Sequence, residues 1–120
     1  KMAELLGYCA ELAERNSLVI PTYGHAGDGN LHVNFLWNDP DEKARVDAAI
    51  KALFQRVVEL HGTLSGEHGI GILKAPYLPM EQSPALIALQ EKIKDVFDPK
   101  HILNPGKIFP ADAKRFHGAC

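Results

Sequence analysis

Gly24-His25-Ala26-Gly27-Asp28-Gly29-Asn30-Leu31-His32 is the stretch on which the reading of this chain turns. Gly24, Gly27 and Gly29 permit positive φ, so the backbone can reverse tightly between two strands. With residues 26–29 as the hairpin loop, His25 lies opposite Asn30. His32 then sits two residues along on the same face, diagonal to His25. Diagonal neighbours have backbones ~7–8 Å apart, within reach of long side chains. Two imidazoles can converge on one small object, and a divalent metal suits neutral imidazole. The alternative is a solvated hairpin with incidental histidines, and the spacing His-x6-His does not by itself decide between them.

Reading outward, Leu18-Val19-Ile20 opens a strand, and Pro21, lacking an N–H, marks an edge position or a bulge. The second strand runs from Asn30 to Trp37. Leu31, Val33, Phe35 and Trp37 share an apolar face, while Asn30, His32, Asn34 and Leu36 share a mostly polar one. Met2, Leu5, Leu6, Cys9, Leu12 and Ala13 recur at helical spacing up to Arg15. Asp39-Pro40-Asp41-Glu42 is a helix start, with a cap, a proline at the first position and acids at the positive end of the dipole. Val46, Ile50, Leu53, Phe54 and Val57 continue that helix to a stop at Gly62. Thr63-Leu64-Ser65 reads as a short strand. Pro76 and Pro79 break the stretch from Lys74 to Met80. Ser83-Pro84 starts a last helix with Leu86, Leu89, Ile93 and Phe97 on one side, ending near Asp98 because Pro99 disfavours a helical residue before it. The order implies an α+β fold, with helices on one face of a small antiparallel sheet in a ferredoxin-like arrangement. Residues 1–110 form the domain and 111–120 a frayed tail.

Composition narrows the partners. Lys plus Arg is 13 and Asp plus Glu is 15, giving a formal charge of −2. Without a basic excess, nucleic acid or an anionic membrane surface is a poor fit. No apolar run approaches the ~20 residues of a membrane-spanning helix. Cys9 and Cys120 make no disulfide framework, which fits a reducing, cytoplasmic setting. The chain begins at Lys1 inside a helical pattern and is expected to be a piece of a longer protein.

Gly66-Glu67-His68-Gly69-Ile70-Gly71 is the second informative segment. Glu67 can supply an oxygen ligand and complete a two-histidine, one-carboxylate set. His68, if not committed to a metal, is the better proton acceptor. The glycine order is G-x-x-G-x-G, which is not the dinucleotide fingerprint. An ordinary surface loop with a solvated Glu-His pair is the plain alternative. His61, His101 and His117 read as structural or surface residues, and Asp28 as a turn residue. On these residues alone, a metal-dependent hydrolase or a metal-binding module using His25, His32 and Glu67 is also open.

The two glycine-rich segments, with Lys74, and then Phe97-Asp98-Pro99 through Ile102-Leu103-Asn104-Pro105-Gly106-Lys107, resemble the C-terminal part of FAD-linked 2-hydroxy acid oxidoreductases of the vanillyl-alcohol-oxidase type. That group includes the glycolate oxidase D subunit, D-lactate dehydrogenases and D-2-hydroxyglutarate dehydrogenase. The resemblance runs from about Leu18 to Pro110. It implies that His25, His32 and Glu67 are metal ligands for zinc or a similar divalent ion. It implies that Asn34 and His68 face the substrate, His68 as the catalytic base, and that Asn104 and Lys107 lie near the flavin. The expected activity is dehydrogenation of a small 2-hydroxy acid by hydride transfer to FAD. FAD would be held mainly by an N-terminal domain of the same full-length protein, leaving this fragment inactive alone. A homodimer or redox partner subunits, and a cytoplasmic place at times peripheral to the membrane, complete what the resemblance implies.

Overall fold

The computed structural model describes residues 1–109. The expected tail at 111–120, with His117 and Cys120, lies outside the described residues. The chain divides into two units, Lys1–Gly66 and a second beginning at Glu67.

In the first unit, α1 spans Met2–Asn16 and buries Cys9 and Leu12. Leu6 of the expected stripe stays exposed, and Tyr8 packs against the core instead. β1 is Thr22–His25 and β2 is Asn30–Val33, paired antiparallel with His25 opposite Asn30 and Tyr23 opposite His32. The Asp28 N–H donates to the His25 carbonyl at 3.1 Å and closes the loop. Residues 26–29 thus form the expected hairpin turn. Of its glycines, only Gly29 uses positive φ, at 69°. Gly24 is required for another reason: a Cβ there would stand 2.1 Å from the Asn30 carbonyl oxygen.

The expected strand at Leu18–Ile20 survives as one bridge, Val19 to Leu36. It keeps the hairpin's register, so Pro21 makes no bulge. The Asn34 N–H donates to the Pro21 carbonyl at 3.1 Å, but Pro21 has no N–H to return, and the ladder is interrupted there. For the same reason β2 ends at Val33 rather than Trp37. Ile20, Val33 and Phe35 turn to the helices, as the alternation requires.

A 3-10 turn at Pro40–Glu42 leads into α2, Lys43–Glu59, which buries Val46, Ala49 and Leu53. Asp39 caps it as expected, accepting from the Asp41 N–H at 2.9 Å, with Glu42 closing a capping box. Cys9, Leu12 and Leu53 form one core cluster, and Leu18, Val46 and Ala49 another. Ile20 and Phe35 touch both clusters, so the hairpin's apolar face joins them. Each buried leucine contributes roughly 1.5–3 kcal/mol. Burial also raises the Cys9 thiol above its usual range, partly offset by a hydrogen bond with Thr22. Arg56 lies over the Tyr8 ring at 5.9 Å and pairs with Glu4 and Glu59, fixing α1 on α2 from outside.

Both long helices of this unit end in the same way. The Gly62 N–H donates to the Val57 carbonyl and the His61 N–H to that of Val58, each at 2.9 Å. This is a Schellman turn, with the left-handed position filled by His61 at φ 57° rather than by glycine. Gly62 is the stop, but for lack of space: a Cβ would meet the Val57 side chain at 3.0 Å. α1 closes likewise on Ser17 at φ 50°. Thr63–Ser65 does not join the sheet. It is a three-residue link between Gly62 and Gly66, and Leu64 is buried as a single anchor.

In the second unit the two prolines start helical turns instead of breaking the stretch. A 3-10 turn at Ala75–Tyr77 runs into α3, Leu78–Glu81, each with proline in its first turn. α4 spans Pro84–Phe97, capped by Ser83, whose hydroxyl accepts from the Leu86 N–H at 3.3 Å. Leu86, Leu89, Ile93 and Phe97 lie on it exposed. The observed architecture is α+β with a two-stranded antiparallel sheet. A ferredoxin-like sheet needs more strands than the two among the described residues. No helix of the described residues is long and apolar enough to cross a membrane.

Candidate functional site

The hairpin gathers most of the residues that the sequence singles out. Side chains at alternate positions share a face, and directly opposed residues share it across the ladder. Tyr23 and His25 on β1 therefore stand on the same face as Asn30 and His32 on β2, with Asn34 just beyond. The His25 and His32 rings have centroids 5.6 Å apart and meet nearly edge-to-face at 82°. His25 is exposed and His32 half-buried. On its other side His32 meets the Tyr23 ring, 5.2 Å away and tilted by 35°. The Asn34 side-chain N–H donates to the Tyr23 hydroxyl at 3.3 Å.

Tyr23 carries no signal of its own in the sequence, because it lies between the proline and the glycine-histidine motif. Alternation back from His25 is what would have found it.

Gly66 closes the first unit against this face. A Cβ at Gly66 would lie 2.4 Å from the Asn30 Oδ1 atom, so only glycine lets the chain pass here without moving Asn30. Glu67 is the next residue along the chain. In the second unit, the His68 Nε2 and Glu67 Oε1 atoms are 3.8 Å apart, both side chains largely exposed. Gly69 and Gly71 adopt positive φ, 74° and 56°, with open space where a Cβ would be. Burial pulls the Lys74 ammonium below its usual range.

Asn104 and Lys107 come together in a turn of the second unit. The Lys107 ammonium donates to Asn104 Oδ1 at 2.8 Å, and Asn104 and Gly106 take left-handed conformations. This turn follows a carboxylate clamp. Asp98, 4% exposed, accepts from the Ile102 and Leu103 N–H groups at 3.0 and 3.1 Å and from the Lys94 ammonium. Its carboxyl is held below the ordinary range, chiefly by Lys94; burial opposes this, and the two backbone donors add to the lowering. His101 is exposed beside Asp95, as a surface residue should be.

The donor types fit a divalent ion of borderline character: two imidazole nitrogens presented by one rigid hairpin, with carboxylate oxygens for the remaining need. Magnesium or calcium would call for mostly oxygen donors instead.

Comparison with known proteins shows the family of the chain. Residues 1–108 match the family described as FAD linked oxidases, C-terminal domain. The chain is 41% identical over 117 residues to the glycolate oxidase subunit GlcD of Bacillus subtilis, covering 96% of this chain and 25% of that protein. It is 45% identical over 108 residues to a D-lactate dehydrogenase of Archaeoglobus fulgidus, covering 90% and 24%. It is 44% identical over 93 residues to the D-2-hydroxyglutarate dehydrogenase of Stutzerimonas stutzeri, covering 74% and 20%. The chain thus spans a quarter or less of the length of these curated relatives.

Proposed function

The chain belongs to the C-terminal domain family of FAD-linked oxidases, and from that premise we propose that it forms the substrate and metal side of an enzyme oxidising a small 2-hydroxy acid. Glycolate, D-lactate and D-2-hydroxyglutarate are the substrates that the relatives' names suggest. The observation that carries the reading is the paired His25 and His32 on one face of the hairpin, with Tyr23 and Asn34 beside them.

His25, His32 and Glu67 are the proposed ligands of zinc or a similar divalent ion. Support comes from the edge-to-face histidine pair and from Gly66, which runs against Asn30 one residue before Glu67. When bound, the ion would make the substrate hydroxyl more acidic, and the flavin would take up the hydride from C2. Asn34 would hydrogen-bond the substrate through its amide. His68 would take the hydroxyl proton, a contribution of about 10²–10⁴-fold in rate. Asn104 and Lys107 would lie along the flavin, in a turn whose entry is fixed by Asp98. FAD itself would be held mainly by a part of the protein outside this chain, and the fragment alone would not turn over. The hairpin would join a larger ferredoxin-like sheet, since β1 and β2 each have one partner among the described residues. Two cysteines without a disulfide framework favour a cytoplasmic setting.

The test uses the full-length, flavin-loaded protein. Its flavin absorption should bleach on anaerobic addition of one of the three acids. His25→Ala should lower bound metal by elemental analysis, and unchanged metal content would defeat the ligand assignment. His68→Ala should depress turnover far more than flavin content. Equal loss of both would make His68 a structural residue.

A further inference from the structure

We infer that Tyr23 is a substrate-binding residue whose phenol O–H donates a hydrogen bond to an anionic oxygen of the bound 2-hydroxy acid. The inference rests on the site reading above and adds to it a residue that neither the sequence motifs nor the family resemblance singled out. Three observations carry it.

First, the strand register sets Tyr23 directly opposite His32 and two residues from His25, so its side chain projects from the same face as both histidines. Second, its ring lies against His32, with centroids 5.2 Å apart, which holds the phenol next to the proposed metal centre and away from the apolar core. Third, the polarity of its hydrogen bond is informative. Asn34 donates its N–H to the Tyr23 oxygen at 3.3 Å, so the phenol acts as acceptor there and keeps its one proton for another acceptor. The residue is 59% exposed on the open face, where a ligand can reach the hydroxyl.

A carboxylate accepts hydrogen bonds and donates none, which matches a phenol proton already supported by an amide donor. The pair also divides its labour. The Asn34 amide retains a second N–H and its carbonyl oxygen for the substrate, while Tyr23 supplies a second donor from the other strand. A base at this position would instead need to receive a proton, and the Asn34 N–H already occupies one of the phenol's accepting positions. The arrangement therefore favours binding over proton removal, which stays with His68.

The experiment compares Tyr23→Phe with wild type in the full-length, flavin-loaded protein. The phenylalanine keeps the ring against His32 and removes only the hydroxyl. Rapid-mixing measurements of flavin bleaching, with whichever of glycolate, D-lactate or D-2-hydroxyglutarate reduces the wild type, give the apparent Kd of that acid. A hydrogen bond to a charged group predicts a Kd about 10- to 100-fold higher, with metal and flavin content unchanged. The same change made on an Asn34→Ala background should weaken binding further. Loss of the effect on that background would mean that Tyr23 only positions Asn34, and would overturn the inference. So would a Tyr23→Phe Kd within twofold of wild type, or a fall in metal or flavin content that accounts for the loss. If none of the three acids bleaches the wild-type flavin, the underlying site reading fails first, and the inference falls with it.

Discussion

Replacing Gly24 by alanine should open the histidine hairpin, and the size of the effect follows from one distance. The added Cβ would lie 2.1 Å from the Asn30 carbonyl oxygen and 2.9 Å from the Leu31 Cα. Both are backbone atoms of the partner strand, so no side-chain rotation relieves the overlap. Ordinary contact begins at 3.4 Å. The strands must therefore separate by more than about 1 Å, which carries a ladder bond of ~2.9 Å beyond hydrogen-bonding range. Loss of two such bonds at about 1 kcal/mol each, with roughly 1 kcal/mol of residual crowding, comes to about 3 kcal/mol. Hydrogen exchange read by mass spectrometry on peptides spanning residues 20–35 should then speed by about 100-fold relative to wild type. Gly27→Ala is the internal control, because nothing lies within 4 Å of its missing Cβ. It should leave exchange nearly unchanged. Bound metal should fall with Gly24→Ala and stay with Gly27→Ala. If the two variants exchange alike, the claim that backbone proximity at Gly24 sets the hairpin geometry is wrong.

Two further outcomes follow from the helix ends. His61→Gly should stabilise the first unit by about 0.5–1 kcal/mol in urea unfolding, since glycine relieves the left-handed strain at φ 57° but costs chain entropy; a loss of stability would show that the imidazole itself matters. The Asp98 carboxyl is held below its unfolded value near ~3.9, so the stability it confers is fully present above about pH 4 and is lost as pH falls through the folded value. Amide protection at Ile102 and Leu103 should be flat from about pH 5 to 8 and decline only below about pH 4. A decline centred near neutrality would point to a different clamp.

The hairpin was legible because two independent signals agreed. Glycines fixed where the chain reverses, and alternation from Asn30 to Phe35 fixed which way the side chains face. The capping box at Asp39 and the proline-led start of α4 were legible for the same local reason, since a cap is written in four residues. What local pattern could not convey was long-range fit. Nothing near Thr63–Ser65 says that it will link Gly62 to Gly66 rather than form a strand. Gly62 looked like the left-handed residue of a helix stop, yet His61 takes that conformation, while Gly62 answers to the Val57 side chain. Gly24 looked like a source of backbone freedom, and both it and Gly66 prove to be places where another part of the chain comes too close for a Cβ. Tyr23 was hidden because Pro21 reads as an edge position or a bulge, although the register continues through it.

That continuation has a mechanical side. At Pro21 the paired arm keeps one hydrogen bond where an unbroken ladder would have two. Below this point Ile20 and Phe35 touch both core clusters; above it, Val33 packs against one of them and the strands pair from Thr22 to His25. The missing bond leaves the ladder one link short between the base and the tip. A valine at position 21 would supply the missing N–H and make the ladder continuous from Val19 to His25, with no side chain at the histidine end changed.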